Sequence, residues 1–445
     1  MKRFILGFLC FGSALVLSQA GPPNIVLILA DDLGRECLEC YGGESYPTPN
    51  LNRLAEEGTR FEACYATPMC SPTRVMLMTG RHSFRNYTEW GRMDLDQSTL
   101  ATELKKAGYA TAIFGKWHLG GWDAAPFGPT RVGFDRFATF DYEKVVREGG
   151  EIGNQYWSTE VWEDGRNFRL DGYAPAYYHE HSIDFIRRHG GSENASQPFF
   201  LYYPLVHAHR PFVPDDETEA SAADQTAKNG KLEHFPAMVT YIDKVVGEII
   251  ETLGSSGQLE NTVVIFSSDN GTDNVNEAKE LRSKYRGIKV PGGKYLPTDL
   301  GANVPLLVRG PGVRAGRVVS APVDFSDLMP TFCEIAKMAP PKITDGQSLW
   351  TMLQGGPETS HDGLAITWGV FEHSSKKYKD PRTYRDELIH LVRDERWKLL
   401  STGALFDLKS DWQETQPLPA ETEPEAKKRL QAALDHWQRA TPRLW

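Results

Sequence analysis

The sequence predicts an α/β fold: a large, mainly parallel sheet flanked by helices, followed by a small C-terminal antiparallel sheet with one helix. Two observations predict it. Apolar runs typical of strands buried on both faces alternate with helical patterns, and these runs cover 24–30, 109–115, 198–206 and 262–268. From about residue 360 the pattern changes to short strand-like pieces and then a polar helical segment at 421–439. We therefore expect one large domain over 21–355 and a small α+β subdomain over 356–445.

The segments near the apolar runs carry helix start and stop signals. Three predicted helices cover 48–58, 98–108 and 235–253. A fourth begins near Cys70, with Ser71 as a suitable N-cap, Pro72 as a suitable first helical residue and Gly80 as the stop. Cys70 would then lie at the positive pole of this helix, where an anion is favoured.

The first 20 residues are typical of a signal peptide. A basic start is followed by an apolar run over 4–17 and by small residues at Ser18 and Ala20, which suit cleavage before Gly21. An uncleaved membrane anchor is the alternative, but the run is short for a membrane span. No later segment is long and apolar enough to cross a bilayer. The sequence thus predicts an exported protein, periplasmic or secreted, that is not an integral membrane protein.

The net charge and the number of cysteines restrict the partners that the protein can bind and the sites that its cysteines can form. The formal net charge of −10 argues against nucleic acid as a partner, because binding through bulk electrostatics needs a basic surface. Five cysteines follow the signal segment, at 37, 40, 64, 70 and 333. An odd number in an exported protein leaves at least one thiol unpaired or chemically used. Cys37 and Cys40 lack a second pair at zinc spacing, so core thiols or one disulfide are expected there.

Polar side chains follow each of the four predicted strands. They are Asp31 and Asp32, then Lys116 and His118, then His207 and His209, and finally Asp269 and Asn270. Ligands bind at the carboxyl ends of strands in open α/β sheets, so these distant segments are expected to converge. The two acidic pairs offer three carboxylates and one amide oxygen, which suit Ca²⁺ best and leave Mg²⁺ open. Helix capping is the alternative for a single pair, but two pairs behind apolar strands favour a metal.

Two signatures give the chain a resemblance to a known family. Residues 70–74, Cys-Ser-Pro-Thr-Arg, and residues 79–81, Thr-Gly-Arg, match the first signature of the formylglycine-dependent (type I) sulfatases. Residues 108–111 and 115–120 match their second signature. From Asn24 to about Pro311 the chain resembles these arylsulfatase-like members of the alkaline phosphatase superfamily. The resemblance implies a sulfuric ester hydrolase.

The resemblance also implies a maturation step and a metal. In this family the signature cysteine, here Cys70, is oxidised to formylglycine by a formylglycine-generating enzyme, and the hydrated aldehyde attacks sulfur. The family's metal ligands fall on Asp31, Asp32, Asp269, Asn270 and the modified Cys70. Its catalytic positions fall on Cys70, Arg74, Lys116, His118, His209 and Lys294.

The resemblance gives each catalytic position a role. Arg74 would hold the nucleophile and offset negative charge, and Lys116 and Lys294 would contact the sulfate oxygens. His118 would take a proton as the sulfate is expelled, and His209 would protonate the leaving oxygen.

Two of these assignments have a neighbour as competitor. His209 is favoured over His207 because Pro211 completes the family's H-x-P pattern. Lys294 is favoured over Lys289 because of its distance to Pro305. Both alternatives remain open at the level of sequence.

The substrate is less sharply indicated. The segment from Tyr142 to Tyr178 is rich in aromatic residues, namely Tyr156, Trp157, Trp162, Phe168, Tyr173, Tyr177 and Tyr178. Because aromatic rings stack on sugars, these residues favour a sulfated carbohydrate, and packing within the fold is the alternative. A phosphoesterase of the same superfamily and a non-catalytic protein that binds sulfated glycans are the rival functions.

Overall fold

The computed structural model describes residues 21–87, 90–123, 125–141, 155–190, 197–218, 221–225, 230–359, 361–369, 389–419 and 421–440. Within them the α/β prediction is confirmed, with a large sheet, flanking helices and a separate small antiparallel sheet. The predicted signal peptide, residues 1–20, lies outside this set. Among the described helices, none combines the length and the apolar character needed to cross a membrane.

The strands in this part of the chain agree closely with the predicted apolar runs. They are β1 Asn24–Ala30, β2 Thr59–Phe61, β3 Cys64–Tyr65, β4 Ala110–Gly115, β5 Arg136–Thr139, β6 Glu160–Glu163, β7 Arg166–Arg169, β8 Phe199–Pro204, β9 Thr262–Ser268, β10 Ser283–Tyr285, β11 Ile288–Val290, β12 Asn303–Val304, β13 Leu306–Arg309, β14 Arg317–Val319, β15 Val323–Asp324, β16 Ala365–Gly369, β17 Ile389–Arg393, β18 Trp397–Leu400 and β19 Leu405–Asp407. The large sheet has the order β14, β2, β13, β9, β1, β8, β4, β5, β6 and β7. Its centre, from β9 to β5, is parallel, and β13 and β6 join that centre antiparallel.

The helices occupy most of the segments predicted to be helical. They are α1 Pro49–Glu56, α2 Cys70–Thr79, α3 Ser83–Asn86, α4 Leu100–Lys106, α5 Gly128–Arg131, α6 Ala174–Gly190, α7 Ala222–Gln225, α8 Phe235–Ser255, α9 Asp299–Ala302, α10 Leu328–Ile335, α11 Trp350–Leu353 and α12 Pro424–Ala440. The three helices predicted over 48–58, 98–108 and 235–253 correspond to α1, α4 and α8.

The position of β1 explains why its sequence is apolar from Ile25 to Ala30. Every residue of β1 is buried, because the strand lies between two hydrophobic layers. Val26 and Ile28 face the layer that contains α6 and α8, whereas Ile25 and Leu27 face the layer that contains α2, α4 and α10. A strand covered on both faces has no solvent side, so the alternation of polar and apolar residues disappears.

The small sheet, β16 to β19, is antiparallel throughout, and α12 packs on it through Leu430 and Leu434. Ion pairs join this sheet to α9, through the half-buried Asp299. Asp299 accepts hydrogen bonds from Arg393 Nη1 at 2.9 Å and from Lys398 Nζ at 3.1 Å. The antiparallel sheet and terminal helix were predicted, and the boundary at residue 355 stays a prediction.

The sequence left two alternatives for the cysteines, core thiols or one disulfide, and the structure has core thiols. All five in the described residues are free thiols, so Cys37 and Cys40 do not form a disulfide. Cys37, Cys64 and Cys333 are fully buried and pack in the hydrophobic layers. Their environment is that of core thiols.

Glu36 is a buried carboxyl group apart from the strand-end clusters. It is only 1% exposed and accepts a hydrogen bond from Thr272 Oγ1 at 2.5 Å. Burial raises the pKa of Glu36 from 4.5 to about 7, although Thr272 and Arg35 oppose this shift. Between these two pH values the folded chain keeps a proton that the unfolded chain has released. The free energy of unfolding therefore falls as the pH rises through this window.

The Glu36→Gln protein is expected to lose this pH dependence, because glutamine stays neutral in both states. The contribution of a single group shifted this far reaches about 3 kcal/mol between pH 4.5 and 7. We expect the variant to gain melting temperature relative to wild type on going from pH 4.5 to pH 8, measured by thermal denaturation. Glu180→Gln, on the exposed side of α6, is the control. If the difference in melting temperature between the Glu36→Gln protein and wild type did not change with pH, the raised pKa assigned to Glu36 would be contradicted.

Candidate active site

The two acidic pairs meet at one edge of the central sheet, where the parallel strands β1 and β9 end side by side. The Asp32 backbone N–H donates to Asp269 Oδ1 at 3.2 Å, and Asn270 Nδ2 donates to Asp32 Oδ1 at 2.7 Å. Asp31 lies in the same cluster, and all four side chains are fully buried. The predicted convergence of the strand ends is therefore present in the fold.

The donor set in this cluster fits a hard divalent cation. Asp31 Oδ1 and Asn270 Oδ1 are both buried and accept no hydrogen bond from the described residues. One potential ligand atom each from Asp31, Asp269 and Cys70 lies within 4.8 Å of the other two. Buried oxygens without donors are costly unless something else binds them, and carboxylate and amide oxygens are what Ca²⁺ and Mg²⁺ prefer.

Cys70 is the first residue of α2, whereas an N-cap at Ser71 would have placed Cys70 ahead of the helix. The prediction of Ser71 as the N-cap is wrong, because Met69 has the extended backbone of the cap position and Ser71 Oγ instead accepts a hydrogen bond from Gly91 N–H at 2.9 Å. Gly80 ends the helix in the left-handed conformation, as predicted. Cys70 is fully buried, and burial raises the pKa of its thiol to about 11.

Arg74 lies one helical turn after Cys70 and is held firmly. Its Nε and Nη2 donate to Asp269 Oδ2 at 3.0 and 2.7 Å, and its Nη1 donates to the Lys116 carbonyl oxygen at 2.9 Å. Burial lowers the pKa of Arg74, but its neighbours, Asp269 foremost, together raise it above its usual value, so the guanidinium stays charged. The Tyr202 hydroxyl, 3.5 Å from Nη1, is a further neighbour that no motif had indicated.

Two buried lysines face the acidic cluster from different segments. Lys116 Nζ lies 2.6 Å from Asp31 Oδ2, and Lys294 Nζ lies 2.6 Å from Asp32 Oδ2. The competitor Lys289 is exposed on β11. Burial lowers the pKa of Lys294, but its neighbours, Asp32 foremost, together raise it well above its usual value, so this ammonium also stays charged. The structure thus brings Lys294 into the cluster and leaves Lys289 on the surface.

The side chains of His207 and His209, in the segment after β8, point in different directions. His209 Nε2 lies 3.7 Å from Asp32 Oδ2, and its Nδ1 lies 3.1 Å from Gln155 Nε2. His207 points into the core, where its Nε2 contacts the Tyr173 hydroxyl at 2.6 Å and its ring stacks on Tyr241 at 4.4 Å. Only His209 faces the acidic cluster. Gln155 was not found from the sequence, because it stands in a loop without a motif.

His118 completes the arrangement, with its Nδ1 3.5 Å from Cys70 Sγ. Burial, followed by the charges of Lys116 and Arg74, holds the pKa of His118 well below its usual value. His118 and Asp32 both have the left-handed backbone, with φ of 52° and 57°. Such strain in residues other than glycine is typical of functional sites. At Gly115, with φ of 126°, a Cβ would lie 1.9 Å from the Pro204 carbonyl oxygen, so only glycine fits beside β8.

The aromatic residues expected to stack on sugar are mostly used in packing. Tyr156, Tyr173 and Tyr178 are 0%, 6% and 1% exposed, so for these three the alternative, packing within the fold, holds. Trp162 packs against Trp122 at 5.3 Å. The remaining rings, Trp157, Phe168 and Tyr177, are half-buried, and residues 142–154 lie outside the described residues.

Comparisons with known proteins agree with this geometry. The sulfatase family profile matches residues 23–338. The chain is 34% identical to N-acetylgalactosamine-6-sulfatase of Rattus norvegicus over 381 residues, which cover 77% of this chain and 68% of the rat protein. It is 31% identical to arylsulfatase A of Homo sapiens over 399 residues, which cover 82% of this chain and 75% of the human protein.

A solved structure shows the same architecture across almost the whole chain. The crystal structure of Ps i-CgsB has a TM-score of 0.76 and 25% sequence identity, and the match covers 95% of this chain and 94% of that one. The family profile alone covers more than half of the sequence. With its α/β sheet and its arylsulfatase-like relatives, the chain belongs to the sulfatase family of hydrolases.

Proposed function

We propose that this sulfatase hydrolyses a sulfate monoester carried by a carbohydrate, at the strand ends around Cys70. The observation that carries the proposal is the arrangement of charge there. Three buried carboxylates pair with a buried arginine and two buried lysines, and two of the carboxylates, Asp31 and Asp269, lie beside the buried Cys70. Because the whole chain has a net charge of −10, this cluster of cations is where a sulfate ester would be attracted.

One divalent cation would be held by Asp31, Asp32, Asp269 and Asn270, together with residue 70. Ca²⁺ fits this oxygen set best, and Mg²⁺ is the alternative. When bound, such a cation supplies Lewis acidity toward an oxygen nucleophile and stabilises negative charge. The buried oxygens of Asp31 and Asn270 that accept no hydrogen bond from the described residues support this assignment.

Cys70 would act after oxidation to formylglycine by a formylglycine-generating enzyme, which we propose as a partner during maturation. The hydrated aldehyde supplies the nucleophilic oxygen. Two features of this chain support the step: the Cys-Ser-Pro-Thr-Arg signature at 70–74, and the position of residue 70 between the acidic cluster and His118.

The protein's own groups would bind the sulfate and move the protons. Lys116 and Lys294 would bind sulfate oxygens, because their ammonium groups are buried, charged and aimed into the cluster. His118, whose Nδ1 lies 3.5 Å from Cys70 Sγ, would take a proton from the nucleophilic group at residue 70. His209, whose Nδ1 lies 2.6 Å from the Arg210 carbonyl oxygen and can donate to it, would protonate the leaving alcohol oxygen with Nε2.

A sulfated carbohydrate is the substrate class that the relatives favour. The rat relative at 34% identity is named N-acetylgalactosamine-6-sulfatase, and we propose a 6-O-sulfated amino sugar as the first candidate. We further propose that residues 1–20 are removed on export to the periplasm or beyond the cell. On this proposal, residues 21–355 form the catalytic domain and residues 356–445 a supporting subdomain.

The proposal is tested by comparing sulfate release from an aryl sulfate with phosphate release from the matching aryl phosphate. The protein is co-produced with a formylglycine-generating enzyme and assayed with Ca²⁺. We expect sulfate release to exceed phosphate release by at least about 100-fold, because a difference of a few kcal/mol in transition-state binding separates the monoanionic ester from the dianionic one. Sulfated N-acetylgalactosamine and N-acetylglucosamine are then compared as substrates.

Each outcome of this comparison is informative. Faster phosphate release would replace the proposal with a phosphoesterase of the same superfamily. No turnover of any ester by protein whose residue 70 is fully converted, as shown by mass spectrometry, would favour a protein that binds sulfated glycans without cleaving them. Turnover of aryl sulfate but of neither amino sugar would contradict only the substrate class.

A further inference from the structure

A second cluster of metal-ligating side chains lies at the other end of α2 from Cys70. It contains Asp324 at the end of β15, Asp327 in the following turn, and His361 before β16. One potential ligand atom from each of these residues lies within 4.8 Å of the other two. A helix of this length spans about 15 Å, so the cluster is separate from the site around Cys70.

The cluster opens into a cavity of ≈ 350 Å³ where α12 packs on the large domain. His82, Asp324 and His361 line one side of the cavity, and Ala433, His436 and Trp437 of α12 line the other. Three imidazole groups and a carboxylate thus line one partly open cavity. Nitrogen and carboxylate donors together are typical of a Zn²⁺ site rather than of a Ca²⁺ site.

His82 is the observation that points to a ligand. It is only 1% exposed, and neither of its ring nitrogens has a hydrogen-bond partner among the described residues. Its ring is fixed by stacking on Phe84 at 5.2 Å and by an edge contact with Trp437 at 4.6 Å. Burying an imidazole without partners is costly, so a group that binds a nitrogen of His82 would stabilise the fold.

Asp324 and Asp327 form a capping box in the turn after β15, in which Asp327 Oδ2 accepts a hydrogen bond from Asp324 N–H at 3.0 Å and Asp324 Oδ2 remains the weakly bonded oxygen. Asp327 Oδ1 accepts hydrogen bonds from His361 Nε2 at 2.5 Å and from Gln347 N–H at 2.8 Å. A carboxylate that receives one ring nitrogen of a histidine fixes the orientation of its ring, as in many zinc sites. Asp324 Oδ1 accepts from Ser326, whereas Asp324 Oδ2 has only a 3.5 Å contact with Ile366 N–H among the contacts of the described residues.

We propose that His82, Asp324 and His361 bind one divalent transition-metal ion of the Zn²⁺ type, with Asp327 orienting His361. The ion would join three separate parts of the chain: the segment that follows α2, the end of β15, and the turn before β16. Its role would be structural, because it would tie the small antiparallel sheet to the helix that begins with Cys70. The proposal does not depend on which ester the protein cleaves.

The proposal is tested by counting bound zinc in wild-type and variant proteins. Each protein is stripped with a chelator, saturated with Ca²⁺, incubated with one equivalent of Zn²⁺, desalted and analysed by mass spectrometry of the metal. We expect wild type to retain one more Zn²⁺ per chain than His82→Phe or His361→Gln, whose zinc affinity falls at least about 100-fold. The site around Cys70 is identical in all three proteins, so the difference reports the cavity alone.

The substitutions are chosen to keep the fold. Phenylalanine preserves the ring contacts of His82 with Phe84 and Trp437, and glutamine can still donate to Asp327. His189→Phe, in a half-buried histidine on α6, is the matched control and is expected to retain zinc as wild type does. Zn²⁺ is also expected to raise the melting temperature of wild type but not of His82→Phe, because a ligand of the folded state stabilises it.

Equal zinc content in wild type and both cavity variants would overturn the proposal, and the cavity would then be only a hydrogen-bonded contact between subdomains. If the variants do not fold, Co²⁺ added to the Cys70→Ala protein decides the question. Four-coordinate Co²⁺ with nitrogen and oxygen ligands absorbs visible light strongly, whereas six-coordinate Co²⁺ in an oxygen site absorbs weakly. Absence of the strong band would likewise overturn the proposal.

Discussion

Replacing Cys70 with alanine is expected to abolish sulfate release, with kcat reduced by at least about 10⁴-fold. The proposed nucleophile derives from the Cys70 side chain, and alanine leaves no group at residue 70 that could attack sulfur. Alanine favours a helix, so α2 is expected to form normally. The rate is measured with an aryl sulfate, using proteins co-produced with a formylglycine-generating enzyme.

Cys333→Ala is the matched control for this experiment. Cys333 is also a fully buried free thiol, but it lies on α10 within the hydrophobic layer. Its replacement is expected to leave the rate unchanged and to lower the free energy of unfolding by about 1 kcal/mol. If Cys70→Ala retained the wild-type rate, the proposed nucleophile would be wrong.

Asp269→Asn is expected to lower kcat/KM by at least about 10³-fold and to weaken Ca²⁺ binding measured by calorimetry. The substitution removes one of three carboxylate charges from the proposed metal site. It also removes the charge that pairs with Arg74, whose Nε and Nη2 both donate to Asp269 Oδ2. Breaking a buried ion pair from one side is costly, so a loss of about 3 kcal/mol or more in unfolding free energy is expected as well.

A second buried aspartate, Asp243, is the control that separates the effect of Asp269→Asn on Ca²⁺ binding from its effect on stability. Asp243 accepts hydrogen bonds from the Asn50 and Leu51 backbone N–H groups at the start of α1, away from the strand ends. Asp243→Asn is expected to lower the melting temperature without changing Ca²⁺ affinity. Wild-type Ca²⁺ affinity in Asp269→Asn would rule out Asp269 as a ligand.

The sequence predicted the centre of the fold well because the local signals there are unambiguous. The run at 262–268 is β9 residue for residue, since a strand covered on both faces has a continuous apolar stretch, here Val263 to Phe266. The start of α2 was misplaced by two residues because Ser71 and Pro72 carry strong capping signals. In the fold, the extended backbone of Met69 begins the helix, and Ser71 bonds to Gly91 instead. A local propensity was overridden by a contact between segments.

The members of the candidate site were predicted, but their pairing was not. Lys116 and Asp31 are 85 positions apart in sequence, and Lys294 and Asp32 are 262 apart, so no local pattern could show which lysine meets which aspartate. Gln155 was missed for the same reason, because its contact with His209 arises only from tertiary structure. The aromatic residues between Tyr142 and Tyr178 could not be assigned to substrate binding or to packing from the sequence, because stacking on a sugar and packing in a core use the same residue types.

The complete burial of α2 also bears on the order of events during biosynthesis. All ten residues from Cys70 to Thr79 are enclosed by the fold, so another protein cannot reach the Cys70 sulfur once the chain has closed around it. Any enzymatic oxidation of this residue must therefore precede folding, during or soon after synthesis. Two preparations with the same sequence and the same native fold would then differ in activity according to whether residue 70 was oxidised before folding. Refolding a chain that was not oxidised would not restore the activity.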